Sequence, residues 1–279
     1  EGLVQGWDDP RMPTIAGMRR RGYPAAAIRS FCEKIGVAKA NSTVELQMLE
    51  FCVRENLNIE ANRAMAVLEP LKIVITNYPT DKRELLPADN NLEKEGQGIR
   101  DLPFSNTLYI EQNDFMEVPV KGFHRLVPGG EVRLKYAYII KCEEVIKDAD
   151  GTITELHCTY DPQTKSGNDT SGKKIKGTIH WVDGATAIPA QLRLYQNLFT
   201  KINPDDVEDG EDFTDYLNHE SLLIPKHSLL EASLADAQVG IPYQFMRQGY
   251  FVKDQDSTPN QPVFNRIVSL KDSWIKKQQ

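Results

Sequence analysis

The residues with the most chemistry to offer lie between Val120 and Tyr136, where His124, Arg125, Arg133 and Lys135 keep company with Phe123 and Tyr136. Val132, Leu134 and Tyr136 alternate with Arg133 and Lys135, and a strand sends alternate side chains to opposite faces. One face would therefore pack while the other presents two cations. Pro128-Gly129-Gly130 is a turn signal between two β-rich runs, since Pro presets φ and Gly tolerates positive φ, so the spacing predicts a hairpin. Cations beside an aromatic ring suit unstacked nucleic-acid bases, which need a flat surface and donors for their edges. The same pattern describes an ordinary amphipathic hairpin with a solvated basic face, and the stretch alone favours that plainer reading.

Three other groups could do chemistry. Arg19, Arg20 and Arg21 are consecutive, so on a helix they span most of a turn and cannot share one partner. Charge complementing a helix C-terminus and contact with phosphate are equally good accounts of them. The acidic run Asp205, Asp206, Glu208, Asp209, Glu211 and Asp212 lacks the spacing and turn glycine of a calcium loop, and a solvated acidic loop is the better reading. A metal-dependent hydrolase built on it ranks last, because no His lies close in sequence and no nucleophile motif accompanies it. Cys32, Cys52, Cys142 and Cys158 contain no C-x-x-C pair. The first two fall on apolar helix positions and the others in strand-like runs, which predicts buried reduced thiols rather than disulfides or zinc ligands.

The elements that must position these groups are bounded by length and composition. A chain of 279 residues suggests about two domains. Hydrophobic content of 40% and charged content of 26% are those of a globular protein. No apolar run approaches the ~20 residues of a membrane span, and Glu1 to Trp7 lack the basic and apolar regions of a signal peptide. The net charge of −7 argues mildly against a nucleic-acid partner, but the acidic run supplies much of it. What remains is close to neutral, with basic clusters. The chain starts without Met and enters patterned sequence at once, as part of something longer would.

Residues 1–65 read as helical. Pro13 suits a first turn and Ile15 and Met18 share a face, with Gly22 as the stop. Pro24 starts a second helix carrying Ile28, Cys32 and Ile35 on one side, and Gly36 ends it. Ser42-x-x-Glu45 is a capping box for a third helix that turns Val44, Met48, Leu49 and Cys52 inward. Beyond Arg63 to Val67 the period changes to 2, with Leu71, Ile73 and Ile75 on one side of a strand. Pro79 to Pro103 reads as a long surface loop. Further strands are expected at 108–110, 131–141, 153–160, 175–182, 191–198, 243–252 and 263–270, and Asp148 to Gly151 is a hairpin turn. The result is an α+β, mainly β, chain: a small compact helical subdomain followed by two β-barrels.

Several ordered segments resemble one family. Trp7-Asp8-Asp9-Pro10-Arg11-Met12-Pro13-Thr14-Ile15, followed by Met18-Arg19-Arg20-Arg21-Gly22, is similar to the class I glutaminyl-tRNA synthetases of bacteria just beyond their ATP-binding M-S-K segment. Arg63-Ala64-Met65-Ala66-Val67, Arg125-Leu126-Val127, Glu131-Val132-Arg133-Leu134, Gly177 to Val182, Arg247-Gln248-Gly249-Tyr250-Phe251 and Pro262 to Arg266 continue the match. The resemblance covers essentially the whole chain. It implies a C-terminal half in which a helical subdomain at 1–65 links to an absent catalytic domain. A proximal barrel would be built from 66–118 and 187–279 and a distal one from 119–186, in the ribosomal protein L25-like anticodon-binding fold.

The family's anticodon readers fall on Arg63, Arg125, Arg133, Lys135, Gln244 and Arg247. A guanidinium fork suits the guanine edge, which assigns Arg125 to G36. Arg63 with Gln244 suits U35, while Arg133 and Lys135 suit position 34 and a nearby phosphate. Lys135 stands where an arginine is expected, and a point charge cannot make the same fork. His124, Gly122 and Met246 also depart from the pattern, so direct contacts are not assigned to them. Arg19, Arg20 and Lys39 are candidates for phosphate contact along the inside of the tRNA elbow. The resemblance further implies a cytoplasmic monomer that binds glutamine tRNA, touches no membrane and uses ATP with magnesium only in the full-length enzyme. The chain has neither an H-I-G-H-like nor an M-S-K-like sequence, so alone it is expected to hold no cofactor and to be inactive. The alternatives are the anticodon-binding half of an archaeal or eukaryotic glutamyl-tRNA synthetase and a non-catalytic RNA-binding β-barrel protein.

Overall fold

Three helices open the chain in the computed structural model, which describes residues 2–37, 39 and 43–270. They are α1 (Ile15–Arg21), α2 (Ala25–Ile35) and α3 (Leu46–Glu60). The Gly17 amide donates to the Thr14 hydroxyl to cap α1, and Gly22 ends it at φ 95°. A Cβ on Gly22 would lie 2.7 Å from Val252, so close packing and backbone conformation both require glycine there. That contact reveals what the helices pack on. Tyr23, Ala27, Leu49, Val53 and Leu57 share one buried cluster with Tyr250, Val252, Ile267 and Val268. The three helices therefore have their core completed by strands, which is why the expected inward faces are only partly right. Ile15, Ile35, Val44 and Met48 are exposed, as is Cys32, whereas Leu49 and Cys52 are buried. Ser42 of the expected capping box lies outside the described residues, and Glu45 makes no side-chain cap bond to α3.

The strands begin with β1 (Asn62–Ala64), β2 (Ala66–Val67), β3 (Pro70–Ile75), β4 (Glu84–Asp89), β5 (Ile99–Phe104), β6 (Thr107–Glu111), β7 (Glu131–Leu134) and β8 (Ile139–Lys147). They continue with β9 (Ile153–Asp161), β10 (Thr178–Ile179), β11 (Val182–Asp183), β12 (Ile188–Tyr195), β13 (Leu222–Leu223), β14 (Ser228–Leu230), β15 (Pro242–Phe245), β16 (Gly249–Lys253) and β17 (Val263–Val268). One sheet runs β1-β15-β16-β17-β12-β14-β2, with β13 on β12, and a second runs β10-β7-β8-β9-β3-β6-β11. Each has two consecutive strands of the chain at its opposite edges. Only Met65 separates β1 from β2, and only His180 and Trp181 separate β10 from β11. A sheet whose edges are tied by so short a link must curl until they meet, which makes both sheets barrel-like and protects their edges.

β3 and β6 lie within 66–118, the stretch expected in the proximal barrel, yet β3 pairs with β9 and β6 with β11. The second sheet thus draws on residues 70–183. Its core holds Leu71, Ile73 and Ile75 on the alternating face of β3, with Leu108, Leu134, Ile140, Leu156 and Trp181. The pairing of β3 with β9 is parallel and long-range, so no local pattern announces it.

Three local expectations are corrected. The loop expected from Pro79 to Pro103 is a hairpin of β4 and β5, with Leu86, Ala88, Leu102 and Phe104 buried. Its prolines are tolerated because this two-stranded sheet consists of edges. No strand forms at 120–127, so the expected hairpin about Pro128 is absent. Instead the Gly129 amide donates to the Cys142 carbonyl and the Cys142 amide to the Gly130 carbonyl, anchoring the turn on β8. The single run expected at 131–141 is β7 and β8, broken where Tyr136 adopts φ 64°. The turn at Asp148 to Gly151 joins β8 to β9 as its sequence indicates.

Candidate nucleic-acid interface

Arg63 sits in β1 directly opposite Gln244 of β15. Its Nε donates to Gln244 Oε1 at 2.8 Å and Nη1 to Asn91 Oδ1 at 2.8 Å, while Nη2 lies 3.8 Å from Glu93. With its oxygen held by a cation, the Gln244 amide directs its NH2 donors away from Arg63. Asn91 is buried at the tip of the β4–β5 hairpin and donates to the carbonyls of Ile59 and Ala61. It fixes the Arg63 side chain from below, and this is the work of the polar excursion that composition alone describes as a loop.

Three residues beyond Gln244, Arg247 occupies the turn between β15 and β16 at φ 67°. Its Nη1 and Nη2 each donate to Asp114 at 2.6 Å, and Nη1 lies 3.2 Å from His180 Nδ1. The Asp114 carboxylate is fully buried and also faces Arg125, whose Nη1 stands 3.2 Å away. Arg125 Nη1 donates as well to the Asn113 carbonyl at 3.0 Å, and its guanidinium lies 5.9 Å from the centre of the Phe123 ring. One carboxylate thus draws together two arginines 122 positions apart in the chain. Behind them His180 Nε2 is 3.4 Å from Glu111, which also accepts from the Leu68 and Glu69 amides and from Gln248. His180 is the link that closes the second sheet, so this network lies on the seam where the two sheets meet.

Arg133 and Lys135 are set beside this seam. The Arg133 amide donates to the Gly177 carbonyl, and a Cβ on Gly177 would fall 1.9 Å from the His124 oxygen, so glycine permits the segment carrying His124 and Arg125 to pass close beside it. The Arg133 guanidinium turns towards the Thr164 carbonyl at 2.7 Å and to Asp169. Lys135 holds its ammonium 4.8 Å from the centre of the Tyr136 ring. Burial raises the Tyr136 hydroxyl above its ordinary value, opposed by the positive charge of Arg100 and Arg63.

The helical candidates lie apart from the seam. Arg20 is enclosed by Asp254, Asp256 and Asp8, with its side chain 12% exposed. Hydrogen bonding to Asp254 raises its basicity further. Arg19 and Lys39 are exposed. Arg21 is buried, donating to the Ile267 carbonyl.

Patterning in the sequence did not mark Asp114, Asn91 or His180. Glu231 is buried, accepts from the Met65 amide and pairs with Arg100. The signal that could have found His180 and Glu231 is an isolated polar side chain inside an apolar run, as in Ile179-His180-Trp181-Val182 and Leu229-Leu230-Glu231-Ala232, whereas Asp114 and Asn91 lie among polar neighbours. The acidic run is exposed and is spent locally, with Asp212 and Asp215 forming a reciprocal cap on the short 3₁₀ turn Phe213–Tyr216. Cys142 and Cys158 face each other across β8 and β9 as buried free thiols.

Comparison with known proteins gives a consistent family. Residues 61–161 and 178–254 match models of the anti-codon binding domain of class I tRNA synthetases (E and Q), and residues 1–59 match the catalytic domain model of the same class. The Glutamine--tRNA ligase of Bradyrhizobium diazoefficiens is 53% identical over 277 residues, covering 99% of this chain and 49% of that protein. That of Clostridium perfringens is 55% identical over 280 residues, covering 99% of this chain and 50% of the relative. That of Rhodopirellula baltica is 54% identical over 277 residues, 99% of this chain and 46% of the relative. The chain spans about half the length of these curated relatives. A helical segment, two barrel-like sheets and a seam of arginines, matched in order by three models of one class, mean that the chain belongs to the class I tRNA synthetases of the E and Q family.

Proposed function

We propose that this chain is the anticodon-recognition half of a glutamine–tRNA ligase, the enzyme that attaches glutamine to its tRNA using ATP. The observation that supports it best is the gathering of Arg63, Arg125 and the neighbouring pair Gln244 and Arg247 along one seam from three distant parts of the sequence. In this reading the anticodon loop unstacks and its bases enter the space between the two sheets. The outward NH2 of Gln244, oriented by Arg63, donates to a uracil oxygen at position 35. Arg125, with its side chain 41% exposed and one Nη held by Asn113, offers its remaining donors to the edge of G36. Arg133 and Lys135 serve position 34 and the adjoining phosphate. A wrong base leaves a desolvated donor without a partner, which costs about 1–3 kcal/mol per lost bidentate contact.

Arg19 and Lys39 suit phosphate contact inside the tRNA elbow, where Arg20 serves chiefly to anchor α1 to the carboxylates around Asp254. The barrels correspond in this proposal to the ribosomal protein L25-like fold, and the protein acts as a cytoplasmic monomer. In this proposal ATP and its magnesium belong to the remainder of the catalytic domain, of whose model residues 1–59 match a part. Among the described residues no helix is long and apolar enough to cross a membrane.

Replacing Arg125 by Ala tests the base assignment. Affinity for glutamine tRNA should fall ~5- to 150-fold, with much less loss for a tRNA whose G36 has been changed. Equal losses for both would mean that Arg125 holds only phosphate.

A further inference from the structure

We infer that Asp114 is a positioning residue for specificity: its buried carboxylate couples Arg125 and Arg247 into one base-reading unit and decides which edge of Arg247 faces the RNA. The inference rests on the proposed reading of the anticodon and goes beyond it. Asp114 takes both terminal nitrogens of Arg247, Nη1 on Oδ2 and Nη2 on Oδ1, each at 2.6 Å. An end-on grip of this kind leaves the side edge of the guanidinium, made by Nε–H and the outer Nη2–H, as a second pair of parallel donors. No described residue accepts from that edge, and the side chain is 31% exposed. Arg247 can therefore still offer two-point recognition, in one orientation only. The second Nη1 proton points at His180 Nδ1, 3.2 Å away, which blocks rotation towards the seam.

The same Oδ1 that accepts from Arg247 Nη2 stands 3.2 Å from Arg125 Nη1. Backbone geometry strengthens the connection. The Leu126 amide donates to the Asp114 carbonyl and the Met116 amide to the Leu126 carbonyl, so the segment carrying Arg125 is laced to the one carrying Asp114. Arg247 comes from the other sheet. A base that pulls on either arginine must shift a carboxylate with no solvent to replace its partners, so the two cannot respond independently. Asp114 also neutralises part of their mutual repulsion and lets two cations occupy adjacent places in the groove.

The test is a double-mutant cycle on the 279-residue chain, read as the affinity ratio between glutamine tRNA and an anticodon-swapped copy. Asp114→Asn keeps the shape and removes the charge; it should reduce that ratio at least tenfold. Arg247→Ala made in the Asp114→Asn background should then add less than twofold. If Asp114→Asn does not fold, Arg247→Lys supplies the second route, since it keeps a cation on Asp114 but cannot grip both oxygens. It should lose discrimination with a near-native melting temperature, and Asp114→Glu should recover part of the ratio. Selective losses for Arg125→Ala and Arg247→Ala that multiply, with an unchanged ratio in Asp114→Asn or in Arg247→Lys, would overturn the coupling alone. Equal losses of both tRNAs in the two arginine variants would instead overturn the underlying reading.

Discussion

At the scale of single residues, a recognition arginine is only as specific as whatever holds it still. An unrestrained guanidinium surrenders rotamer freedom on binding and can meet phosphate as readily as a base. Arg63 is restrained by Gln244 and by Asn91, which spends its amide on the carbonyls of Ile59 and Ala61 at the end of α3. Asn91→Ala should therefore have two separable effects. The buried Ala61 carbonyl and the part-buried Ile59 carbonyl lose their donor, costing about 1–3 kcal/mol in urea unfolding. Freed on one side, Arg63 should also discriminate less well against a changed base at position 35. Loss of stability with intact discrimination would assign Asn91 to the fold alone.

At the scale of elements, the helices are fastened to the first sheet by apolar packing and by one cluster of charge. Asp254, buried just past β16, accepts from Arg20 of α1 and lies 3.6 Å from Arg193 of β12. Burial pushes its carboxyl up, but hydrogen bonds from Arg20, the Asp256 amide and Asn265, with the charge of Arg20, bring it below the ordinary 3.8. A carboxyl depressed in the folded state contributes stability that is fully present above its ordinary value and is lost as pH falls through the depressed one. Acid should thus loosen the helix–sheet junction below about pH 3.8. Asp254→Asn should flatten that part of the pH–stability curve while lowering stability at neutral pH. An acid limb of unchanged steepness would show that other carboxylates govern it.

Legibility follows the same division. The three helices are readable because period 3.6 and the stops at Gly22 and Gly36 are local, and β3 because Leu71, Ile73 and Ile75 alternate. The β4–β5 hairpin is not, since its four buried residues are spaced among Pro, Asp, Asn and Gly that read as loop. Strand pairing is not either, because β3 meets β9 across more than 75 positions. The arginines and Gln244 were found through the family resemblance. Their restraints, Asp114 and Asn91, are short polar residues whose meaning depends on what the fold brings against them.

At the scale of the whole molecule, a chain of net charge −7 is proposed to hold a polyanion. The conflict resolves by distribution: carboxylates gather in the exposed segment 205–212, while Arg63, Arg125, Arg133, Lys135 and Arg247 lie about the seam between the sheets. Each cation engaged with single-stranded phosphate should contribute a slope of about −0.7 to the dependence of log affinity on log salt. Base contacts should instead appear as a salt-insensitive ratio between correct and altered anticodons. The most direct measurement is a titration of the chain against glutamine tRNA and an anticodon-swapped copy over a range of salt. Affinity should fall with salt for both while the preference for glutamine tRNA persists; equal affinities at every salt concentration would contradict anticodon recognition by this seam.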